Sequence, residues 1–278
     1  MPRPREEIRA QLYEVATRAD GDPATGALWI AAEEVGDLDV DRYLDFLQER
    51  ADAVQRTVGG RTDDPEALRA ALAGELFERQ GFRGDEGENY YDPRNSYLNE
   101  VIERRRGIPI TLSIIYLSVG ARLGLAVAGV NAPGHFLVRC GPAILDPFDK
   151  GRTWSRTHFE DHLRQLGASD PARHADALLG APPRVGQILS RVLANLKANY
   201  LRRGDLGRAL GVVDRLVHLD PTEAQWLRER AALYQHLDCP HAAADDLELY
   251  LERVPSDPEA AGLRAVLVDL RGRSGMLH

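Results

Sequence analysis

Residues 134–149 read GHFLVRCGPAILDPFD and bring a histidine, a cysteine and an aspartate within one short stretch. An imidazole oriented by a carboxylate is a general base, and in the order Cys-His-Asp that pair activates a thiol. His135 and Asp146 supply the last two members of such an order. The stretch reads as a two-stranded hairpin. With a turn at Cys140-Gly141 the two residues lie opposite each other; with a turn at Gly141-Pro142 they are diagonal neighbours on one face. Either way they can meet. Cys140 stands five residues after His135 and points to the other face by strand alternation, unless a bulge resets the phase, so its plainer reading is an inert hairpin cysteine.

The elements that must position this pair follow from periodicity. "IPITLSIIYLSVGARLGL" places Pro109 at a first helical turn and is apolar almost all round, the mark of a helix buried at a domain centre. Before it, a helix is expected from about Ser96 to Arg106, burying Tyr97, Leu98, Val101 and Ile102, stopping at Gly107 and exposing a solvated "ERRR" end. "AVAGV", "HFLVRC" and "AILDPF" read as short strands after the central helix. That order argues α+β. Residues 1–80 carry helical stripes at Ile8/Leu12/Val15, Leu28/Ala31/Val35, Tyr43/Leu44/Leu47 and Leu68/Leu72/Leu76, the last after Asp64-Pro65, which suits an N-cap and first helical position. Breaks at "DGDP", "GDLD" and "GGRTDD" separate them.

The C-terminal third repeats. Tyr200 and Tyr234, Ala209 and Ala243, Val213 and Leu247, Leu216 and Tyr250, and Pro221 and Pro255 are each 34 residues apart. That period is similar to the tetratricopeptide helix-turn-helix unit, with residues 259–271 as a capping helix. Trp226 falls in the first helix of the second unit, where an aromatic usually packs between repeats.

Composition narrows the partners. Acidic residues outnumber Lys and Arg by 43 to 35, a net charge of −8, which argues against nucleic acid. No apolar run approaches the roughly 20 residues that span a bilayer, and the N-terminus has charge where a signal peptide is apolar, so a cytoplasmic protein away from membranes is expected. Two cysteines 99 positions apart offer neither a disulfide framework nor a metal site. His158 and His162 in "HFEDHL" have chelating spacing, but Phe159 stands where HExxH carries its glutamate, and a solvated helix face is the plainer account. No cofactor and no metal are expected.

"YYDPRNSYLNEVIERRRGIPITLSIIYL", followed by "GVNAPGHFLVRC" and "LDPF", closely resembles bacterial transglutaminase-like proteins of the SirB type, which join such a core to tetratricopeptide repeats. The close match covers residues 81–151. The resemblance implies an α+β, papain/transglutaminase-like core with an N-terminal helical layer, then an all-α region, with boundaries at 1–80, 81–180 and 186–278. It also implies a cysteine at the N-terminus of the central helix, two residues after a glycine and some fifteen before another; Gly107 and Gly124 set that frame, and position 109 is proline. Thr111 and Ser113 in the same helical turns are the remaining hydroxyls that face the histidine or serve the helix end. Asn99, Glu100 and Asn131 are candidates for binding a ligand in the same pocket, Asn99 and Glu100 alternatively tethering the loop "NYYDPRNS". Two functions stay open: a scaffold without the nucleophile that binds a protein or peptide, and an amide hydrolase or acyltransferase using His135 and Asp146 with another nucleophile or an activated water.

Overall fold

The computed structural model describes residues 3–59 and 63–275, with side chains to 273. The break at "GGRTDD" lies partly outside the described residues. The chain forms two compact units, divided between Val192 and Leu193.

The first unit opens with α1 (Arg5–Thr17), α2 (Pro23–Val35), α3 (Val40–Val58) and α4 (Pro65–Ala73). The expected cap is present: the Asp64 carboxylate accepts the Glu66 and Ala67 amides at 3.1 and 3.0 Å ahead of Pro65. Asp22 caps α2 in the same way and also takes the Ser118 hydroxyl (2.9 Å) and the Arg122 guanidinium (3.0 Å), tying this helix to the centre of the domain. Gly26 on α2 is required by a close approach. A Cβ there would sit 2.4 Å from the Leu189 side chain.

Next come β1 (Arg83–Gly84), α5 (Leu98–Arg104), β2 (Arg106–Gly107) and α6 (Pro109–Arg122). The helix expected to reach Arg106 ends sooner, because Arg105 turns left-handed (φ 58°) and Arg106–Gly107 pair in parallel with Arg83–Gly84. The "ERRR" end is solvated only in part: Glu103 is exposed, while the arginines are half-buried and engaged. The Arg105 guanidinium lies over the Phe46 and Phe82 rings at 4.8 and 4.9 Å, and Arg106 reaches the buried Asp85 carboxylate at 3.6 Å. Helix α6 is buried along nearly its whole length, as its composition requires.

Against α6 lies an antiparallel sheet in the order β3 (Val127–Val130), β4 (Leu137–Cys140), β5 (Ala143–Asp146), β6 (Arg152–Trp154). Cys140 pairs with Ala143, so the hairpin turns at Gly141-Pro142. The fourth strand is an addition to the sequence reading; three residues, two of them exposed, carry too little alternation to signal it. Its return is made by Lys150 and Gly151, both at positive φ. On the side of the sheet away from α6, Val130, Leu137 and Ile144 meet Phe159 and Leu163 of α7 (Arg156–Gln165) and Ala175 of α8 (Pro171–Gly180).

Helix α9 (Val185–Arg202) carries the division between units. The second unit continues with α10 (Leu206–Leu219), α11 (Gln225–His236), α12 (Pro240–Arg253) and α13 (Ala260–Gly275). The bounds of α10 and α12 differ by the 34 residues of the repeat, and α13 occupies the place of the expected capping helix. Ala243, Leu247 and Tyr250 from the repeat pattern are buried with Ala231, Ala260 and Leu270. Arg230 on α11 joins neighbouring helices: it takes both Asp246 oxygens (2.7 and 2.8 Å) and Asp214 (2.7 Å), and these hydrogen bonds and charges raise its pKa further.

Gly84 faces the Phe148 ring so closely that a Cβ would stand 2.6 Å from it. Gly84→Ala is expected to destabilise the protein by about 1–3 kcal/mol through overpacking, read as a lowered urea midpoint with an unchanged m-value.

Candidate functional site

The β4–β5 register decides how His135 and Asp146 meet. Continued past Leu137, it sets His135 across from position 148 and diagonal to Asp146. The ring Nε2 lies 2.8 Å from Asp146 Oδ2. Asp146 is 4 % exposed, and its second oxygen accepts the backbone amides of Phe148 (3.0 Å) and Asp149 (3.3 Å). A carboxylate only accepts, so Nε2 carries the proton and Nδ1 holds the lone pair of the neutral imidazole. The His135 ring stacks on Trp154 (5.6 Å, 6°) and meets the edges of Phe148 (6.1 Å) and His162 (6.3 Å). Position, tautomer and ring plane are therefore all set.

The start of α6 presents no free hydroxyl to this base. Pro109 is buried at the first helical position. Thr111 is fully buried; its Oγ1 accepts the Ile108 amide (3.1 Å) and lies 2.9 Å from the Asn95 carbonyl and 3.1 Å from that of Ile108. Ser113, equally buried, donates to the Phe136 carbonyl (3.3 Å) and so ties α6 to the residue beside His135. Cys140 is buried and, by alternation, faces away from His135, beside Tyr116 of α6; burial pushes its thiol up from the ordinary cysteine value.

Of the other candidates, Asn131 accepts a hydrogen bond from Arg191 Nη1 (3.0 Å). Asn99 is buried with its Oδ1 unpartnered, and Glu100 lies 3.8 Å from Arg104. Among the described residues no hydrogen bond links either to the His135–Asp146 pair. The loop "NYYDPRNS" is tethered by Asn95, whose amide reaches the Asn89 carbonyl at 2.8 Å. His158 is exposed, as a solvated helix face requires, and His162 is half-buried. They flank Trp154 with ring centroids at 4.4 and 5.3 Å, and His162 Nε2 donates to the Pro133 carbonyl at 3.1 Å. Among the described residues no cluster of three or more His, Cys, Asp or Glu is placed to hold a metal ion, and no helix is long and apolar enough to cross a membrane.

Trp154, Phe148, Tyr90 and Arg191 belong to this site and carried no signal in the sequence reading. Trp154 arrives on the unrecognised β6. Tyr90 packs on Phe148 at 6.3 Å, and Arg191 lies 60 positions from its partner Asn131.

A model of the transglutaminase-like superfamily matches residues 41–194, and one of the tetratricopeptide repeat matches residues 196–268. A UPF0162 protein of Xylella fastidiosa is 37 % identical over 257 residues, covering 91 % of each chain. The UPF0162 protein PA3419 of Pseudomonas aeruginosa is 33 % identical over 86 % of this chain and 87 % of its own. F-box only protein 21 of Mus musculus is 32 % identical over 58 % of this chain and 27 % of its own.

Two outcomes test these assignments. Thr111→Val is expected to cost about 1–3 kcal/mol by stranding the buried Ile108 amide, while Thr111→Ser retains most of the stability, both read by urea unfolding. In the native protein at pH 8 a thiol reagent is expected to label exposed Cys239 quickly and Cys140 only after denaturant is added, because a raised pKa leaves less thiolate and the sheet covers the sulfur.

Proposed function

The chain belongs to the transglutaminase-like superfamily and to the UPF0162 proteins, and on that premise we propose that it works as a binding scaffold for a protein or peptide rather than as a thiol enzyme. The observation that carries this reading is the start of α6. Proline stands at position 109, and the Thr111 and Ser113 hydroxyls are sealed in the interior and bonded to backbone. A hydroxyl so engaged must give up those bonds before it can attack a carbonyl. His135 and Asp146 then hold the hairpin and line a binding surface.

The tetratricopeptide units support the binding half of the proposal, since such repeats serve protein–protein interaction in general. Trp226 is packed under the Lys197 ammonium at 4.6 Å, between first helices of the two repeats, which leaves exposed positions such as Ala198 and Ala232, 34 apart, as the contact surface. The acidic balance favours a protein over a nucleic-acid partner, and the two free cysteines suit the cytoplasm.

One observation favours a second reading. The Nδ1 lone pair of His135 is available to activate water for amide hydrolysis or acyl transfer.

One set of measurements separates the two. Peptides selected on the full chain from a displayed pool are expected to bind about tenfold more weakly to Ala198→Glu or Ala232→Glu and to remain uncleaved after long incubation. Cleavage or acyl transfer by the wild type, abolished in a folded His135→Ala protein, would establish the enzymatic reading instead.

A further inference from the structure

Among the described residues, Arg191 is a cation without a counter-ion. It is half-buried on α9, in the part of that helix belonging to the first unit. Its one hydrogen bond among the described residues runs from Nη1 to the neutral amide oxygen of Asn131, and neither a carboxylate nor an aromatic face lies against it. A guanidinium has five N–H donors, so most of this one's are unspent. Several other half-buried arginines are matched: Arg122 by Asp22, Arg50 by Glu75, Arg230 by Asp214 and Asp246, and Arg105 by the rings of Phe46 and Phe82. Acidic residues are in excess, so the vacancy is not a shortage of partners. Burial pushes the Arg191 guanidinium down from its ordinary value, with Tyr90 the one titratable group opposing it. A partly desolvated cation left in that condition is costly, and an arriving anion recovers the cost.

Tyr90 begins an aromatic row that runs through Phe148 and His135 to Trp154. Tyr90 is half-buried, its hydroxyl makes no hydrogen bond among the described residues, and its ring sits edge-on to Phe148, which in turn meets His135. The available donors therefore supply one full positive charge and a phenol, since the Nε2 proton of His135 is spent on Asp146. That matches a singly charged planar group. A phosphate dianion would ask for a second cation or a nest of amides.

We propose that Arg191, held by Asn131 and near Tyr90, binds the carboxylate of an acid with an apolar substituent, either the C-terminus of a peptide or a free small-molecule acid. The guanidinium takes the carboxylate through its unspent donors, the Tyr90 hydroxyl adds a third, and the substituent lies along the aromatic row towards His135 and Trp154. This names the ligand group for the core. It rests on the binding reading above only in giving the core a share of the binding.

The test uses the full chain in solution, with 15N-detected signals of the Arg191 side chain and the Trp154 indole as reporters. N-acetyl-phenylalanine, its primary amide, a tetrapeptide ending in phenylalanine with a free or amidated C-terminus, and inorganic phosphate are titrated separately. Saturable shifts with the free acids are expected, with the amides about tenfold weaker or worse and phosphate without effect. Arg191→Gln is expected to weaken acid binding by about tenfold or more, and Arg191→Lys, which keeps the charge but loses the fork, by a smaller factor. A tighter tetrapeptide than N-acetyl-phenylalanine identifies a peptide terminus; equal affinity identifies a free acid. Acid and amide binding alike, phosphate competing as well as the acid, no saturable shift up to about 10 mM, or unchanged acid affinity in folded Arg191→Gln would overturn the site. Should Arg191→Gln lose its dispersed spectrum, wild-type affinity in Arg191→Lys overturns it equally. In each case, peptide binding that still depends on Ala198 and Ala232 leaves the scaffold reading standing, so the two fail separately.

Discussion

A buried carboxylate must be surrounded by donors, and Asp146 organises the hairpin face around His135 by meeting that demand. Two backbone amides from the turn after β5 and the imidazole of His135 converge on its two oxygens, while its own carbonyl accepts the Gly151 amide at 2.7 Å. Satisfying one side chain therefore sets three things together: the turn that launches β6, the plane of His135, and the place of Trp154 against that ring. Each hydrogen bond to a charged group contributes roughly 1.5–3 kcal/mol, and removing one partner leaves the others facing an unmatched charge. The hairpin and its pair stand or fall as a unit.

The same hydrogen-bonding logic closes the opposite side of the site. A helix that begins inside a protein has amides that need acceptors, and α6 meets part of that need with the Thr111 hydroxyl on the Ile108 amide. Ser113 spends its proton on the strand beside His135. Groups that would be nucleophiles on an open helix end are here the joints between helix, loop and sheet.

Charge is distributed with similar economy. In the second unit Arg230 draws in two carboxylates from the neighbouring helices and fixes their spacing. In the first, Arg105 is accommodated over two aromatic rings, and Arg191 has an amide oxygen and an unused phenol nearby. The first two are complete, and substitution there disturbs packing. Arg191 has no such match among the described residues, and the proposed carboxylate ligand would supply it.

Much of the fold was legible because its signals are local. The Asp64-Pro65 cap, the all-round apolar run of α6 and the 34-residue spacing of Ala209 and Ala243 each follow from helical geometry, and the alternation around Gly141-Pro142 was enough to let His135 and Asp146 meet. Three short features escaped. The parallel pairing of Arg106–Gly107 with Arg83–Gly84 cut α5 short, β6 has too few residues to show a period, and His158 and His162 turned out to flank a tryptophan carried on that strand. What the amino-acid order determined by itself was most of the helices and the hairpin, since caps, periods and turns act over a few residues. Which hydroxyls are spent, what lies against His135 and whether Arg191 has a counter-ion were decided only by the tertiary structure, because those depend on groups up to 60 positions apart whose meeting is set by packing.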